Sequence, residues 1–115
     1  LPEDTELIAL GTNALATAQM MKAGASEGAT GENAICHMAD RVDYITGTVS
    51  ILIANGMLGE ISPAIAAAVG SSHAKKFLLP LNKNDVHIAG VLKEPLPHLI
   101  DELTMMLCKE GSENV

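Results

Sequence analysis

The feature that most constrains this chain is a repeated pairing: a short unbroken apolar run, a turn of glycine and small polar residues, then a helical pattern. Thr5 to Leu10 (TELIAL) is bounded by Pro2 and Gly11, and Gly11-Thr12-Asn13 leads into LATAQMMKAG, where Leu15, Ala18, Met21 and Lys22 step at helical spacing. The run lacks the in–out alternation of a half-exposed strand, so it reads as a strand covered on both faces. Val42 to Thr46 (VDYIT), Lys76 to Leu81 (KFLLPL) and Val86 to Val91 (VHIAGV) give further strand patterns, and Ala25 to Ala29 leaves room for a brief edge strand. Strands of this kind alternating with helices specify an α/β class, with a mainly parallel sheet covered by helices on both faces in three layers.

Helix boundaries follow from the punctuation. Thr12 or Asn13 can cap the first helix and Gly24 can close it. Thr30-Gly31-Glu32-Asn33 opens a second, with Thr30 and Asn33 as cap candidates and Ile35, Met38 and Ala39 on one face of Ala34 to Arg41. Val49 to Met57 is ambiguous, and a helical turn is favoured because another helix signal follows. Asn55-Gly56 and Gly59-Glu60 read as plain turns. Ser62-Pro63 is a helix start, with AIAAAVG as body and Gly70 as cap. After Pro95 and Pro97, LIDELTMMLCKE is amphipathic, with Leu99, Leu103, Met106 and Leu107 expected inward and Gly111 to Val115 expected to fray.

Composition narrows the class further. At 115 residues the chain has the size of one domain, placed at residues 1–110, and 48% apolar residues exclude intrinsic disorder. Seven basic against 14 acidic residues give a net charge of -7. That field repels phosphate backbones and anionic lipid, so neither nucleic acid nor membrane is an expected partner. Ile51 to Ala54 and Ala64 to Val69 fall far short of the ~20 residues that span a bilayer. With no secretory leader pattern and two widely separated cysteines, Cys36 and Cys108, the chain is expected to be cytoplasmic with buried reduced thiols.

Candidate chemistry lies in the turns after the strands. In parallel sheets ligands bind beyond the carboxyl ends of the strands, where helix starts present free amides. Gly11-Thr12-Asn13, Gly31-Glu32-Asn33, Gly47-Thr48 and Asn82-Lys83 occupy such positions, and together they suit a phosphate or another anion. Turn and cap roles explain the same residues without any ligand. Gly24, Gly28 and Gly31 do not make a GxGxxG motif, and there is no P-loop lysine motif. His37 beside Cys36 lacks a second ligand pair, so no metal is expected. His73 near Ser71 and Ser72 lacks a nucleophile elbow. No residue stands out as catalytic, and the sequence leaves open whether the chain is an enzyme.

The blocks Ile8 to Ile35, Asn55 to Lys83 and Pro95 to Leu103, with GTNxxAT and GATGENA as their most specific parts, resemble a family of small uncharacterised proteins from Firmicutes-type bacteria, a domain of unknown function. The resemblance covers nearly the whole chain and implies a Rossmann-like fold. It also implies a preceding strand, a glycine-rich turn similar to DGQGGGIGK, and a helix, all ahead of Leu1. The expected domain therefore lacks its first strand, which is usually central. The chain departs from the family where members carry GPIG and this chain has Gly47-Thr48-Val49-Ser50, and where members often place a cysteine near Asn84. Asp43 to Asn82 also resembles part of the phospholactate-transferase-like Rossmann fold, whose members bind nucleotides or phosphorylated cofactors at the corresponding loop.

The expectation is a small-molecule domain for a nucleotide or another phosphate-bearing ligand. Gly11, Thr12 and Asn13 would hold one part, Gly47 and Thr48 the phosphate, and Asn82 and Lys83 the far side, with Gly31, Glu32 and Asn33 as a fourth loop. The alternative is a non-enzymatic module that forms homo-oligomers through an apolar, methionine-rich helix face.

Overall fold

A computed structural model describes residues 5–91 and 94–113. Along the chain run β1 (Ile8–Gly11), α1 (Ala14–Lys22), β2 (Glu27–Thr30), α2 (Glu32–Met38), β3 (Tyr44–Thr48), a 3-10 turn (Val49–Leu52), α3 (Pro63–Ser71), β4 (Lys75–Leu79) and α4 (Leu96–Glu113). The fold is mixed α/β with short parallel strands. Among the described residues, no helix is long and apolar enough to cross a membrane.

The strands form two parallel ribbons rather than one sheet. β1 pairs with β2 from Ile8↔Glu27 to Gly11↔Thr30, and β3 pairs with β4 from Tyr44↔Lys75 to Thr48↔Leu79. Among the described residues no ladder joins the ribbons. The expected mainly parallel sheet is therefore parallel but divided into two pairs of strands.

Strand alternation gives each ribbon two distinct faces. Gly11 and Thr30 point toward α1: the Thr30 hydroxyl donates to Thr17 Oγ1 at 2.8 Å, and a Cβ on Gly11 would stand 2.7 Å from the Thr17 amide. Only glycine lets α1 approach β1 this closely. Leu10 points the other way, onto the core made by Ile35 of α2, Ile61, and Ile65, Ala66 and Val69 of α3. Ile45 of β3 and Ile51 pack against that same cluster. Across β3 and β4, the rings of Tyr44 and Phe77 lie 6.0 Å apart.

Several expected boundaries shift. Asn13, not Thr12, caps α1, with its Oδ1 accepting from the Ala16 amide at 2.9 Å. The α2 cap is Gly31, at φ 100°, rather than Thr30 or Asn33, because the chain enters the helix through a conformation that side chains disfavour. Ser62 caps α3 as its Ser-Pro pair predicts, but the helix runs past Gly70 to Ser71, with Ser72 as its cap. Val86 to Val91 forms no strand. All six residues are exposed, and strand preference has no effect without a neighbouring edge to pair with. Met106 of α4 is 48% exposed rather than inward, while Leu99, Leu103 and Leu107 are half-buried. α4 continues through Gly111 to Glu113, where fraying was expected; residues 114–115 lie outside the described residues. Cys36 and Cys108 are half-buried free thiols rather than fully buried ones.

Candidate functional site

The carboxyl ends of β1 and β2 carry the strongest cluster of polar side chains, and its hub is a residue that reads in the sequence as part of a turn. Glu60 lies in the connection between β3 and α3. Its carboxylate accepts from Thr12 Oγ1 at 2.9 Å and from Asn13 Nδ2 at 3.0 Å, one bond to each oxygen. Asn13 thus uses its oxygen to cap α1 and its amide nitrogen to hold Glu60. Two residues on, the Ser62 hydroxyl donates to Glu32 Oε1 while accepting from the Ile65 amide at 3.2 Å. The β1–α1 loop, the β2–α2 turn and the β3–α3 connection are thereby tied together at one edge.

Below this surface the β1–α1 loop is anchored by Thr17, a buried polar side chain. Its hydroxyl accepts from Thr30 and donates toward the Asn13 and Ala29 carbonyls at 3.2 and 3.3 Å. A satisfied buried hydroxyl positions Asn13 from beneath.

The connection that delivers Glu60 is unusual in its backbone. Asn55, Met57 and Leu58 have φ of 63°, 55° and 58°, followed by Gly59 at 90°. Side-chain-bearing residues in this region cost free energy and persist only where their surroundings hold them. Here the Asn55 amide donates to the Ile61 carbonyl at 2.7 Å, and the Ile61 amide donates to the Gly56 carbonyl at 3.0 Å. The loop is closed on itself and its tip residue Leu58 is 99% exposed.

Of the predicted site residues, Gly11, Thr12, Asn13, Gly31 and Glu32 gather at this edge, and Asn33 lies in the first turn of α2. Gly47 and Thr48 finish β3, at the carboxyl end of the second ribbon. Asn82 serves its own loop: its Oδ1 accepts from the Asn84 and Val86 amides, and its Nδ2 donates to the Val86 carbonyl. It shares an open depression of about 300 Å³ with the exposed Lys83, Asp85 and His87. The Ser50 hydroxyl reaches the Leu81 carbonyl at 3.3 Å, which links the β3–α3 connection to the segment after β4.

Electrostatically the edge favours hydrogen-bond donors over anions at Thr12 and Asn13. Glu32 and Glu60 place two exposed carboxylates there, and the expected cation, Lys83, belongs to the other ribbon. Among the described residues no group of three or more His, Cys, Asp and Glu side chains is placed to hold a metal ion.

At the opposite edge stands a pair that sequence reasoning missed. The His73 amide donates to Asp40 Oδ1 at 2.8 Å, and His73 Nδ1 lies 3.1 Å from the same oxygen. The backbone donation first, and then the side-chain one, hold the Asp40 carboxyl below its ordinary value. Ser71 donates to the Ala67 carbonyl, while Ser72 donates to the Ala39 carbonyl and adds a smaller lowering at Asp40. The pair joins the end of α2 to the start of β4. Nothing in the sequence marks a contact between residues 33 positions apart, whereas Glu60 could have been noticed as a carboxylate beside a Ser-Pro helix start.

The sequence model of a family described as Domain of unknown function (DUF3842) matches residues 1–112. No curated protein matches the chain, and no solved structure does.

Proposed function

The chain belongs to the family of the domain of unknown function DUF3842, and we propose that it is a Rossmann-like, three-layer domain that binds a nucleotide or phosphorylated metabolite at the carboxyl edge of its strands. The observation that carries this reading is the convergence of three loops on Glu60 and Glu32. Ligand sites in parallel α/β proteins form where such loops meet, and a carboxylate held by Thr12 and Asn13 is suited to accept sugar hydroxyls. A phosphate is repelled from Glu60 and Glu32. It is better served by the backbone amides after Gly47 and Thr48, with Lys83 on the far side. Gly31 lets the backbone pass close to the ligand, and Gly11, which lets α1 approach β1, holds the neighbouring loop in place.

Thermal denaturation with a panel of nucleotides, nucleosides, sugar phosphates and inorganic phosphate tests this. A ligand at about 100 times its Kd stabilises the folded chain by about 2.7 kcal/mol, a rise of several degrees. Nucleotides are expected to raise the midpoint more than nucleosides or phosphate alone, and Glu60→Ala to diminish the rise. No shift with any member of the panel overturns the reading.

A second reading, a self-associating module, draws on one observation: the fully exposed Leu58 on a loop closed by its own hydrogen bonds. Light scattering on the chain and on Leu58→Ser separates the two. A monomer at all concentrations removes this alternative.

A further inference from the structure

α4 carries an apolar stripe that its own chain covers only in part. Leu96, Leu99, Leu103 and Met106 step by three, four and three residues, and Ile100 and Leu107 widen the stripe on one side. That is the spacing of a seam between two helices. α4 lies on β4, one strand of a two-stranded ribbon. A helix about 10 Å across is wider than the ~4.8 Å that one strand occupies. Leu99, Leu103 and Leu107 are accordingly half-buried, while Leu96, Ile100 and Met106 stay close to half exposed. One exposed apolar side chain is ordinary, but a continuous stripe marks a contact surface.

The charges beside the stripe say what kind of contact it is. Glu102 and Lys109 are both exposed and stand seven residues apart, two turns of helix, so they share one side of α4. At about 100° per residue they border Met106 on the side away from Ile100. Let two copies of α4 pack antiparallel about a two-fold axis between Thr104 and Met105. Leu103 of one copy then meets Met106 of the other. The same register brings Glu102 of each copy within reach of Lys109 of the other, and a two-fold contact makes that pair twice. A parallel pair in register would instead set Glu102 against Glu102 and Lys109 against Lys109, which like charges disfavour. With Asp101 and Glu102 beside it and a net charge of -7 on the chain, the stripe is unsuited to anionic lipid, which basic helices seek.

We propose that α4 is a dimer surface: two copies of this chain pair antiparallel through the Leu103–Met106 stripe, and Glu102–Lys109 ion pairs set the direction. A single helix pair falls short of the ~1,600 Å² of a standard interface, so the dimer forms reversibly as concentration rises. The surface uses neither Leu58 nor the loops at the carboxyl edge of the strands, and the proposal does not rest on a ligand there.

Sedimentation equilibrium of the 115-residue chain tests it at ~0.15 M salt, where exposed charges more than about 8 Å apart are screened. The parent is expected to pass from monomer to dimer with concentration. Glu102→Lys and Lys109→Glu each turn both ion pairs into like-charge contacts, and each is expected to weaken dimerisation about tenfold. Both changes in one chain, or an equal mixture of the two single variants, are expected to restore it to within about threefold of the parent. A parent that stays monomeric up to about 1 mM overturns the proposal. So does a dimer that the single reversals leave unchanged, a double variant that stays weak, or a dimer abolished by Leu58→Ser. Should the variants not fold, the Met106 methyl signal of the unaltered chain decides. It is expected to shift with concentration while that of Met20 in α1 stays in place, and a static Met106 signal overturns the proposal.

Discussion

The two ribbons share a parallel strand pair and a connecting helix, yet they are held by different physics. In the first, β1 and β2 present small residues to α1, and the contact is governed by close approach and by the Thr17 hydroxyl network. α1 keeps Leu15 70% exposed. In the second, Ile61 and Ile65 are each 2% exposed, and with Val69 they bury the apolar side of α3. The contrast teaches a division of labour: burial in the second half supplies the core, while the first half supplies precisely spaced polar loops on top of it.

Substitution can break this contrast, and the largest effect belongs to the second half. Ile65→Ala removes a buried side chain and leaves a cavity, with an expected loss of about 2–5 kcal/mol in urea denaturation. A loss under about 1 kcal/mol would mean the core does not rest on α3. In the first half, Gly11→Ala drives a Cβ into the Thr17 side chain and amide, with an expected cost of about 1–3 kcal/mol. Because one obstacle is backbone, adding Thr17→Ala should recover only part of it; full recovery would place the whole constraint in the hydroxyl.

The helix caps give a finer comparison. Asn13→Ala and Ser62→Ala each remove a cap and are expected to cost about 1 kcal/mol. Asn13 also holds Glu60, so a double-mutant cycle with Glu60→Ala measures the tie between the two halves. Its coupling is expected below about 1 kcal/mol, because both groups are exposed. A larger value would make the edge a rigid strut rather than an adaptable site.

The smallest effect concerns the Asp40–His73 tie. The folded carboxyl titrates below its ordinary value of 3.8, so its contribution to stability is complete above that value and is lost as pH falls through the lower folded value. Asp40→Asn is expected to be slightly less stable than the parent at pH 7 and to converge with it in acid. A difference that grows toward low pH would reverse the assignment.

Much of the local structure was legible from residue chemistry. Asn13 and Ser62 could be read as caps because a side-chain oxygen beside a helix start satisfies an otherwise free amide, and Lys76 to Leu81 as a strand because its apolar run is unbroken. The loops after β1 and β2 were legible for the same reason. Glu60 was legible only as a carboxylate beside a Ser-Pro helix start; its partners were not, because its bond to Asn13 spans 47 residues of the chain. Val86 to Val91 misled in the opposite sense: a strand pattern is realised only where the segment pairs with an edge, and these six residues stay exposed and unpaired in any ladder.

The sequence by itself determined most of the segments that become helix or strand, Val86 to Val91 excepted, and which turns carry glycine, since capping, apolar runs and backbone freedom act within a few residues. Only the tertiary structure decided that the strands fall into two ribbons, that Glu60 and Glu32 meet the first ribbon's loops, and that one cluster around Ile65 serves both halves. Those outcomes depend on which distant surfaces come together, and hydrophobic burial, being non-directional, leaves that choice to the packing of the whole chain.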